Sequence, residues 1–260
     1  MSETLAQIWA PTLHAGQFSA DRVGALLLTE TKAQQSGPPC LFDGLSPHEY
    51  EAVVAKGQRR VLDRGSMVFS QGAEHDGIYV IETGRIRVYY TAPSGREVTL
   101  AYWHPGNFVG GPEVFGGGHH IWSGVAVTNS SVLYLPGHAL RSLVTQIPAL
   151  AIGIIDGLSF KGKCYSAMAQ MLGTRSITER LAHLLLHLAD LYGVPNDNGI
   201  AIAAAFTHSD LAHMTGATRQ WITTSLKRLG DQGVVAIKRP GIVIRRRDVL
   251  AKIRDGEVKV

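Results

Sequence analysis

The stretch Phe206–Gly230, FTHSDLAHMTGATRQWITTSLKRLG, constrains this chain most, because its apolar residues follow a helical period that is interrupted once. Leu211 lies before the interruption and Ile222 after it, and Gly216 provides a residue that tolerates positive φ. The pattern predicts two short helices joined by a tight turn, with the small Ala212 allowing a close crossing. It indicates a helix-turn-helix, and an ordinary helical hairpin is the alternative.

The second of these helices begins with a cap and a run of polar side chains. Thr218 is predicted to accept a hydrogen bond from an otherwise unpaired backbone N–H group. The side chains that follow carry donors suited to base edges or phosphates in a helix that enters the major groove. Basic residues crowd the last quarter of a 260-residue chain whose formal charge is only +4, which favours DNA binding over the hairpin alternative. The predicted DNA-binding residues are Thr207, His208, Thr218, Arg219, Gln220, Thr223, Thr224, Lys227, Lys238 and Arg239.

Length and composition indicate a globular protein of two domains, since the chain is 45% hydrophobic and 18% charged. Cys40 and Cys164 are the only cysteines and have no C-x-x-C partner, which excludes a disulfide framework and a four-thiolate iron–sulfur site within one chain. The segment MSETLAQIWAPTLHAG lacks a basic region followed by an apolar core, so export is not expected, and no apolar run approaches the roughly 20 residues that cross a bilayer. We therefore expect a cytoplasmic protein that does not enter a membrane.

The N-terminal region separates into an extension and a short helix. Residues 1–40 are predicted to form an N-terminal extension, in which DRVGALLLTETKAQQ could form one amphipathic helix and QQSGPP a linker. The segment SPHEYEAVVAKG then opens with Ser46 and Pro47, a cap followed by a first-turn proline, and predicts a short helix.

Between Gln58 and Pro136 the chain changes to short β-rich runs about ten residues apart, separated by Gly, Pro, Ser or Asn. This spacing predicts an antiparallel roll, sandwich or barrel. In GRIRVYY, the alternation places Ile86, Val88 and Tyr90 on one face, which is predicted to be buried. A pocket inside such a roll would be apolar with a few polar groups.

A long helical segment follows from about His138 to Tyr192, with interruptions at Ile147-Pro148 and near Gly173. Its apolar stripe comprises Leu150, Ile154, Leu158, Tyr165, Met168 and Leu172. The length of the segment and its thin stripe predict a helix that pairs with its copy in a second subunit, and a core helix of a monomer is the alternative. Ser176 begins a Ser-x-x-Glu capping box that predicts a further amphipathic helix.

Residues of about 40–254 resemble the family of the cyclic-AMP receptor protein and the fumarate–nitrate regulator, the CRP/FNR family of dimeric bacterial transcription factors. The resemblance is most specific in ITERLAHLLLHLA and in FTHSDLAHMTGATRQWITTSLKRLGDQGVVAIKRPGIVI. It implies an α+β fold with an N-terminal cyclic-nucleotide-binding-type β-roll, a long dimerisation helix and a C-terminal winged helix-turn-helix. The predicted domains are the extension 1–40, an effector-sensing β-roll 41–145, a dimerisation helix 146–173 and a DNA-binding domain 174–260.

The resemblance also implies how DNA is bound. VVAIKRPGIVIRR would form a two-stranded wing with its turn at 239–241, and Arg219 and Gln220 occupy positions that read bases in the family. The family often has Glu at the position of Gln220 and Arg at that of Thr224, so the recognised DNA sequence is expected to depart from the family's usual half-sites. The implied partners are palindromic double-stranded DNA, a second copy of the chain and RNA polymerase.

At the sensor end, family members that bind cyclic AMP carry a Gly-Glu-Leu-Gly turn and an Arg-Ser pair. The matching stretches here are Gly110–Glu113 and Ile121-Trp122, so the arginine is absent and a cyclic phosphate would lack a cation. The cysteine cluster of the iron–sulfur members is absent as well. His104, His119 and His120 could in principle bind haem or a metal, but histidines in a Gly-rich loop more often are exposed polar residues. We predict no cofactor and no metal site.

The aromatic and apolar residues of this region suit an uncharged or aromatic effector other than cyclic AMP, although they would serve equally well as core. By the resemblance, Tyr165 and Ser166 lie where the dimer helix meets the ligand. The predicted effector-binding residues are Trp103, Phe108, Gly110, Glu113, Trp122, Tyr165 and Ser166.

Together these features predict a dimeric, sequence-specific transcription regulator gated by a small molecule bound between the roll and the long helix. Two alternatives remain within the family: a member without an effector, controlled by its abundance or by a protein partner, and a haem or metal sensor. An enzyme with a basic C-terminal domain is disfavoured, because the sequence contains no nucleophile–base spacing, Walker loop or H-E-x-x-H motif. No catalytic residue is predicted.

Overall fold

The structure is a computed structural model that describes residues 39–202, 206–238 and 241–258, with the backbone alone at Lys238. The predicted amphipathic helix lies outside the described residues, and so does the predicted linker except for Pro39. The same is true of Arg239 and Pro240, two of the three residues of the predicted wing turn.

The first element is the short helix α1 (Pro47–Val54), as the sequence predicts. Ser46 caps it and forms a capping box with Glu49, in which the Glu49 backbone N–H donates to the Ser46 hydroxyl oxygen and the Ser46 backbone N–H donates to the Glu49 carboxylate. Pro47 occupies the first turn, where its missing N–H group costs no helical hydrogen bond.

Eight antiparallel strands form the roll, and each coincides with one of the β-rich runs in the sequence. The strands are β1 (Gln58–Leu62), β2 (Met67–Phe69), β3 (Gly77–Thr83), β4 (Ile86–Thr91), β5 (Glu97–Trp103), β6 (Phe108–Val109), β7 (Ser123–Ala126) and β8 (Ser130–Pro136). They build two four-stranded sheets, in the orders β1-β8-β3-β6 and β2-β7-β4-β5. The predicted roll is confirmed.

The central strands β3 and β8 are buried on both faces, which explains their nearly continuous apolar sequence. Tyr79 and Ile81 contribute to the core between the two sheets, whereas Ile78 and Val80 contribute to a second core under the helices. This alternation places one apolar core inside the roll and another on its outer face.

One residue of the predicted alternation on β4 has a different environment. Ile86 and Val88 are fully buried, but Tyr90 is 39% exposed. The pairing with β5 shifts between Val88 and Tyr89, so that Leu100 has no partner and the strand no longer alternates with respect to the core. The prediction that Tyr90 is buried with the other two residues is wrong for this reason.

The helical segment divides into α2 (Gly137–Gln146), α3 (Pro148–Thr174) and α4 (Ile177–Tyr192). The breaks fall at Ile147 and at Arg175-Ser176, close to the predicted positions, and the capping box of Ser176 is present. Leu150 and Ile154 of α3 are buried in the core on the outer face of the roll. The first part of the predicted stripe therefore packs within the protomer.

The C-terminal unit contains β9 (Gly193–Asn196), β10 (Gly199–Ile202), α5 (His208–Thr215), α6 (Arg219–Asp231), β11 (Val235–Lys238), β12 (Gly241–Ile244) and α7 (Arg247–Arg254). β11 and β12 pair as the predicted wing, but β12 also pairs with β10 in a four-stranded sheet of order β11-β12-β10-β9. The sequence analysis did not predict β9 and β10. The domain boundaries at 40, 145 and 173 stay predictions.

Within the described ranges no single helix is both long and apolar enough to cross a membrane. Only α2 and α3 taken together, across a bend of 119°, reach such a length and composition.

Candidate DNA-binding surface and ligand cavity

The helix-turn-helix has the predicted geometry. Gly216 ends α5 in the left-handed region with φ of 67°, and Thr218 caps α6 by accepting a hydrogen bond of 3.1 Å from the Trp221 backbone N–H. Leu211 on α5 and Ile222 on α6 are fully buried in the core that the two helices share with α4 and α7. Because both helix ends are fixed in this way, the direction in which the first turn of α6 points is determined.

The residues predicted to bind DNA gather along one exposed edge of this motif. Six of them are exposed on α6 or at its cap: Thr218, Arg219, Gln220, Thr223, Thr224 and Lys227. Thr207 caps α5 through a capping box with Asp210, and the partly exposed His208 follows it. The backbone of Lys238 ends β11, whereas Arg239 lies outside the described residues. The DNA contacts of all ten residues stay predictions.

Thr223 is part of a hydrogen-bonded link between the two helices. Its hydroxyl donates to the Arg219 carbonyl oxygen at 2.9 Å, and the His208 Nδ1 lies 2.8 Å from the same hydroxyl oxygen. Because the hydroxyl proton is directed at the carbonyl, the Nδ1 is the donor in the second contact. This link orients the first turn of α6, and it occupies the Thr223 hydroxyl in the protein without DNA.

A cavity of about 330 Å³ lies between the roll and α3. Its lining residues are Val88, Trp103, Val109, Gly110, Gly111, Pro112, Trp122, Leu158, Lys161, Gly162 and Tyr165. The aromatic rings of Trp122 and Tyr165 pack against each other in its wall, with 5.7 Å between their centroids, and burial raises the pKa of Tyr165. The walls are therefore largely apolar, and both the roll and α3 contribute to them.

The structure brings four of the seven predicted effector-binding residues to this cavity, namely Trp103, Gly110, Trp122 and Tyr165. Phe108 is buried beside it, where its ring packs at the position of Gly157 on α3. Glu113 and Ser166 are exposed and do not line the cavity. A role of any of the seven in effector binding stays a prediction.

Lys161 is a lining residue that the sequence analysis missed. Its Nζ lies 3.6 Å from the centre of the Trp103 ring and 4.4 Å from that of Phe108, and burial lowers its pKa to about 7. A signal for its position was present, because Lys161 follows Leu158 by three residues and precedes Tyr165 by four on the same helix. The spacing places it on the face that carries both of these stripe residues.

The histidines considered as metal or haem ligands do not form a common site. His119 is exposed, while His120 is buried, with its Nδ1 2.9 Å from the Gly110 carbonyl oxygen. The His120 ring contacts the edge of His75, and burial lowers the pKa of both. No group of three or more metal-ligating side chains occurs among the residues that the structure describes.

The roll also contacts the DNA-binding unit directly. Arg87 on β4 pairs with Glu97 on β5 at 2.5 Å and donates to the Nδ1 of His213 on α5 at 3.2 Å. Burial, followed by the nearby Arg87 charge, lowers the pKa of His213, which suits a neutral ring that accepts from arginine. Tyr102 of β5 belongs to the core of the DNA-binding unit. A movement of β4 or β5 would therefore displace side chains that contact α5.

Comparison with known proteins agrees with both halves of this geometry. The sequence pattern of the cyclic nucleotide-binding domain matches residues 59–146, and that of the Crp-like helix-turn-helix domain matches residues 179–253. The chain belongs to the CRP/FNR family. It is a DNA-binding transcription regulator of this family and not an enzyme.

The similarity to other CRP/FNR proteins covers most of the chain. The cyclic AMP receptor protein of Thermus thermophilus is 26% identical over 216 residues, which are 83% of this chain and 97% of that protein. The fumarate and nitrate reduction regulatory protein of Escherichia coli K12 is 26% identical over 82% of this chain and 86% of its own length. The structure of the c-di-GMP responsive regulator CLP of Xanthomonas campestris matches with a TM-score of 0.69 at 19% identity, over 76% of this chain and 99% of that chain. This last match shows the shared fold.

Proposed function

We propose that this CRP/FNR regulator acts in the cytoplasm as a homodimer on palindromic DNA, gated by a small molecule bound in the cavity between the roll and α3. The observation that carries the proposal is the composition of the cavity wall. Trp103 and Trp122 come from the roll, whereas Leu158 and Tyr165 come from the long helix that leads into the DNA-binding unit. A ligand that contacts both walls stabilises one arrangement of the roll relative to α3. RNA polymerase is the proposed partner for control of transcription.

The exposed face of α3 supports a dimer. Ile152 and Ile155 are 59% and 60% exposed and lie one turn apart on the same face, and contiguous exposed apolar side chains of this kind mark interaction surfaces. The face continues with the small exposed residues Ser159, Gly162, Ser166 and Ala169 at spacings of three and four. This repeat lets a second helix approach closely along the whole length of α3. In such a dimer the two α6 helices would meet successive major grooves, about 34 Å apart.

The dimer can be tested with a matched pair of substitutions. Ile155→Glu is expected to place two carboxylates against an apolar helix face and to raise the monomer fraction at micromolar concentration. Val61→Glu is the control, since Val61 is 85% exposed but lies on β1 of the roll. Light scattering should report a dimer for the wild type and for Val61→Glu. A wild-type monomer, with or without DNA, would contradict the proposal.

The effector is proposed not to be cyclic AMP. Lys161 supplies a cation that the sequence analysis did not predict, so cyclic AMP is disfavoured by its ribose and base. Besides Lys161 and Tyr165, the described lining residues offer only the indole N–H groups of Trp103 and Trp122 as side-chain polar groups. The ribose and base of a cyclic nucleotide would leave several polar groups buried without partners there, at a cost of about 1–3 kcal/mol for each group. Calorimetry that gave micromolar binding of cyclic AMP together with tighter DNA binding would contradict this part of the proposal.

Gating makes a separate prediction for Tyr165. A swing from 1:99 to 99:1 between two states requires about 5.5 kcal/mol of differential ligand binding, and burial of a large apolar side chain supplies about 1.5–3 kcal/mol at each of two sites. Tyr165→Ala should therefore abolish the effect of the effector on DNA affinity while the dimer and the basal DNA affinity remain. Tyr90→Ala is the control, since Tyr90 is an exposed residue of β4 that does not line the cavity.

The experiment begins with thermal melts of the wild type against a metabolite panel, because a ligand that binds the folded state raises the midpoint. Each hit is then titrated in a DNA-binding assay with the wild type, Tyr165→Ala and Tyr90→Ala. A hit that still changes the DNA affinity of Tyr165→Ala would contradict the assigned route of coupling. The absence of any hit would favour a regulator controlled by its abundance or by a protein partner.

A further inference from the structure

The ammonium group of Lys161 has an unusual position for a lysine. Lysine side chains ordinarily extend to water, whereas this one folds over the rings of Trp103 and Phe108. Within the described part of the chain it forms no hydrogen bond and no ion pair, and no acidic side chain lines the cavity. Among the described residues, only the two aromatic faces stabilise its charge.

Such an arrangement is unfavourable without a further partner. Lys161 is partly buried, and an ammonium that loses part of its hydration is stabilised by an opposite charge and hydrogen-bond acceptors, because cation–π contacts replace only part of that hydration. Burial lowers the Lys161 pKa to about 7 for the same reason, because desolvation disfavours the charged form. A purely structural residue at this point of an apolar wall would be expected to be Leu or Met, which fill the same volume without a charge. The cavity therefore has a single unpaired cation in an aromatic lining.

We propose that the cavity binds a small organic anion, with an aromatic body and one carboxylate or sulfonate group that pairs with the Lys161 ammonium. The inference rests on the proposed function, in which this cavity is the effector site, and it names the chemical class of the effector. The rings of Trp122 and Tyr165 offer the aromatic body a place to stack. At about 330 Å³ the cavity is at the small end of the range for ligand sites, about 300–1,000 Å³, which admits a compact ligand of two or three rings.

The position of the cation also explains how such a ligand would act. Lys161 belongs to α3, whereas Trp103 and Trp122 belong to the roll. An anion would draw the ammonium toward itself while its ring stacked on the roll, so that charge pairing and stacking together would set the distance between the two units. A neutral ligand of the same shape would fill the cavity but leave the cation unpaired.

The test uses two fluorescent probes of similar shape and different charge. The anion is 1-anilinonaphthalene-8-sulfonate and its neutral counterpart is N-phenyl-1-naphthylamine. Each is titrated against the full-length wild type, Lys161→Met and Lys163→Met. Lys163 is the matched control, because it is an exposed lysine on the same helix that does not line the cavity. In a second comparison, 1-naphthaleneacetate and its neutral amide each compete with the bound anionic probe, so that a carboxylate is tested as well as a sulfonate.

Lys161→Met is expected to weaken binding of the anionic probe by at least tenfold, the size of a lost hydrogen bond to a charged group, and to leave the neutral probe unaffected. Lys163→Met should bind both probes as the wild type does, and the carboxylate should compete better than its amide. Unchanged anion binding by Lys161→Met would overturn the inference. So would an equal loss of both probes, which would indicate a change in cavity shape, or a wild type that binds neither probe.

A pH titration provides a second readout. Besides Lys161, the titratable groups that face it are Cys164, whose pKa burial raises to about 12, and Tyr165, whose pKa burial also raises. Neither loses its proton near neutral pH, and the described lining residues from the roll include no titratable side chain. Since the ammonium is the binding form, affinity for the anionic probe should fall by about tenfold between roughly pH 6.5 and 8.5. The same slope in Lys161→Met would overturn the inference, because the titrating group would then not be Lys161.

The same measurements separate this inference from the proposed function. If the anionic probe binds through Lys161 but leaves the affinity for DNA unchanged, the inference that the cavity binds an organic anion is supported, and the proposal that this cavity gates DNA binding is contradicted. If a neutral compound from the metabolite panel raises DNA affinity and Lys161→Met responds as the wild type does, gating holds and the inference of an anionic effector fails.

Discussion

Arg219→Ala is expected to weaken binding to the preferred DNA site by about 1–3 kcal/mol and to remove the preference for guanine at one base pair of each half-site. Arg219 is the first residue of α6, and its exposed guanidinium forms no hydrogen bond or ion pair with the residues that the structure describes. Its donors are therefore available to the O6 and N7 of a guanine without the loss of an existing contact. The hydrogen bond between Thr223 and the Arg219 carbonyl oxygen, together with the Thr218 cap, keeps the first turn of α6 intact in the variant.

The control for this prediction is Arg245→Ala. Arg245 follows β12, and its exposed side chain likewise has no partner among the described residues. A phosphate contact there carries no base preference, so the variant should lose affinity equally for all sequences and show a shallower dependence on salt. Selection of binding sites from random DNA, followed by titrations at several salt concentrations, measures both properties. If Arg219→Ala keeps its base preference while Arg245→Ala loses it, the assigned orientation of α6 is wrong.

The elements that the sequence predicts well are those whose signals are local. The helix-turn-helix follows from the caps and the turn glycine, because these residues act on backbone groups within three or four positions. The eight strands of the roll follow from the regular spacing of turn residues. In both cases the residues that determine the element lie within the segment itself, and for this reason the observed element agrees with the predicted one.

The features that could not be predicted depend on distant parts of the chain. Tyr90 is exposed because the pairing of β4 shifts against β5, and β-strand register is set by the partner strand. The hairpin of β9 and β10 has weak strand signals of its own, and β10 is completed by pairing with β12. Lys161 has helical spacing that places it on the buried face, but only the rings contributed by the roll show that its charge lies in an aromatic cavity. The candidate site is therefore less predictable than the fold, since its members come from separate elements.

The glycines Gly153, Gly157 and Gly162 weaken α3 as an isolated helix and so predict that it packs on both sides, but the sequence does not show which atoms the helix approaches. A Cβ atom at Gly157 would lie 2.6 Å from the Phe108 ring, and one at Gly153 would overlap the carbonyl oxygen of Leu41. These two glycines allow α3 to lie directly against the roll and the turn before α1. Neither position can accept a larger residue without a shift of α3 or of the atoms that it approaches.

Gly153→Ala is accordingly expected to lower the free energy of unfolding by about 1–3 kcal/mol, although alanine is the better helix former. The clashing atom belongs to the backbone of Leu41, whose N–H donates to the Gly106 carbonyl oxygen at 2.8 Å, so it cannot move without breaking this hydrogen bond or displacing α3. Gly230→Ala on α6 is the control, because the nearest atom to its Cβ would be 3.9 Å away. The control should be neutral or more stable by up to about 1 kcal/mol. Urea unfolding measures both variants, and equal stability of Gly153→Ala and the wild type would show that α3 does not approach Leu41 this closely.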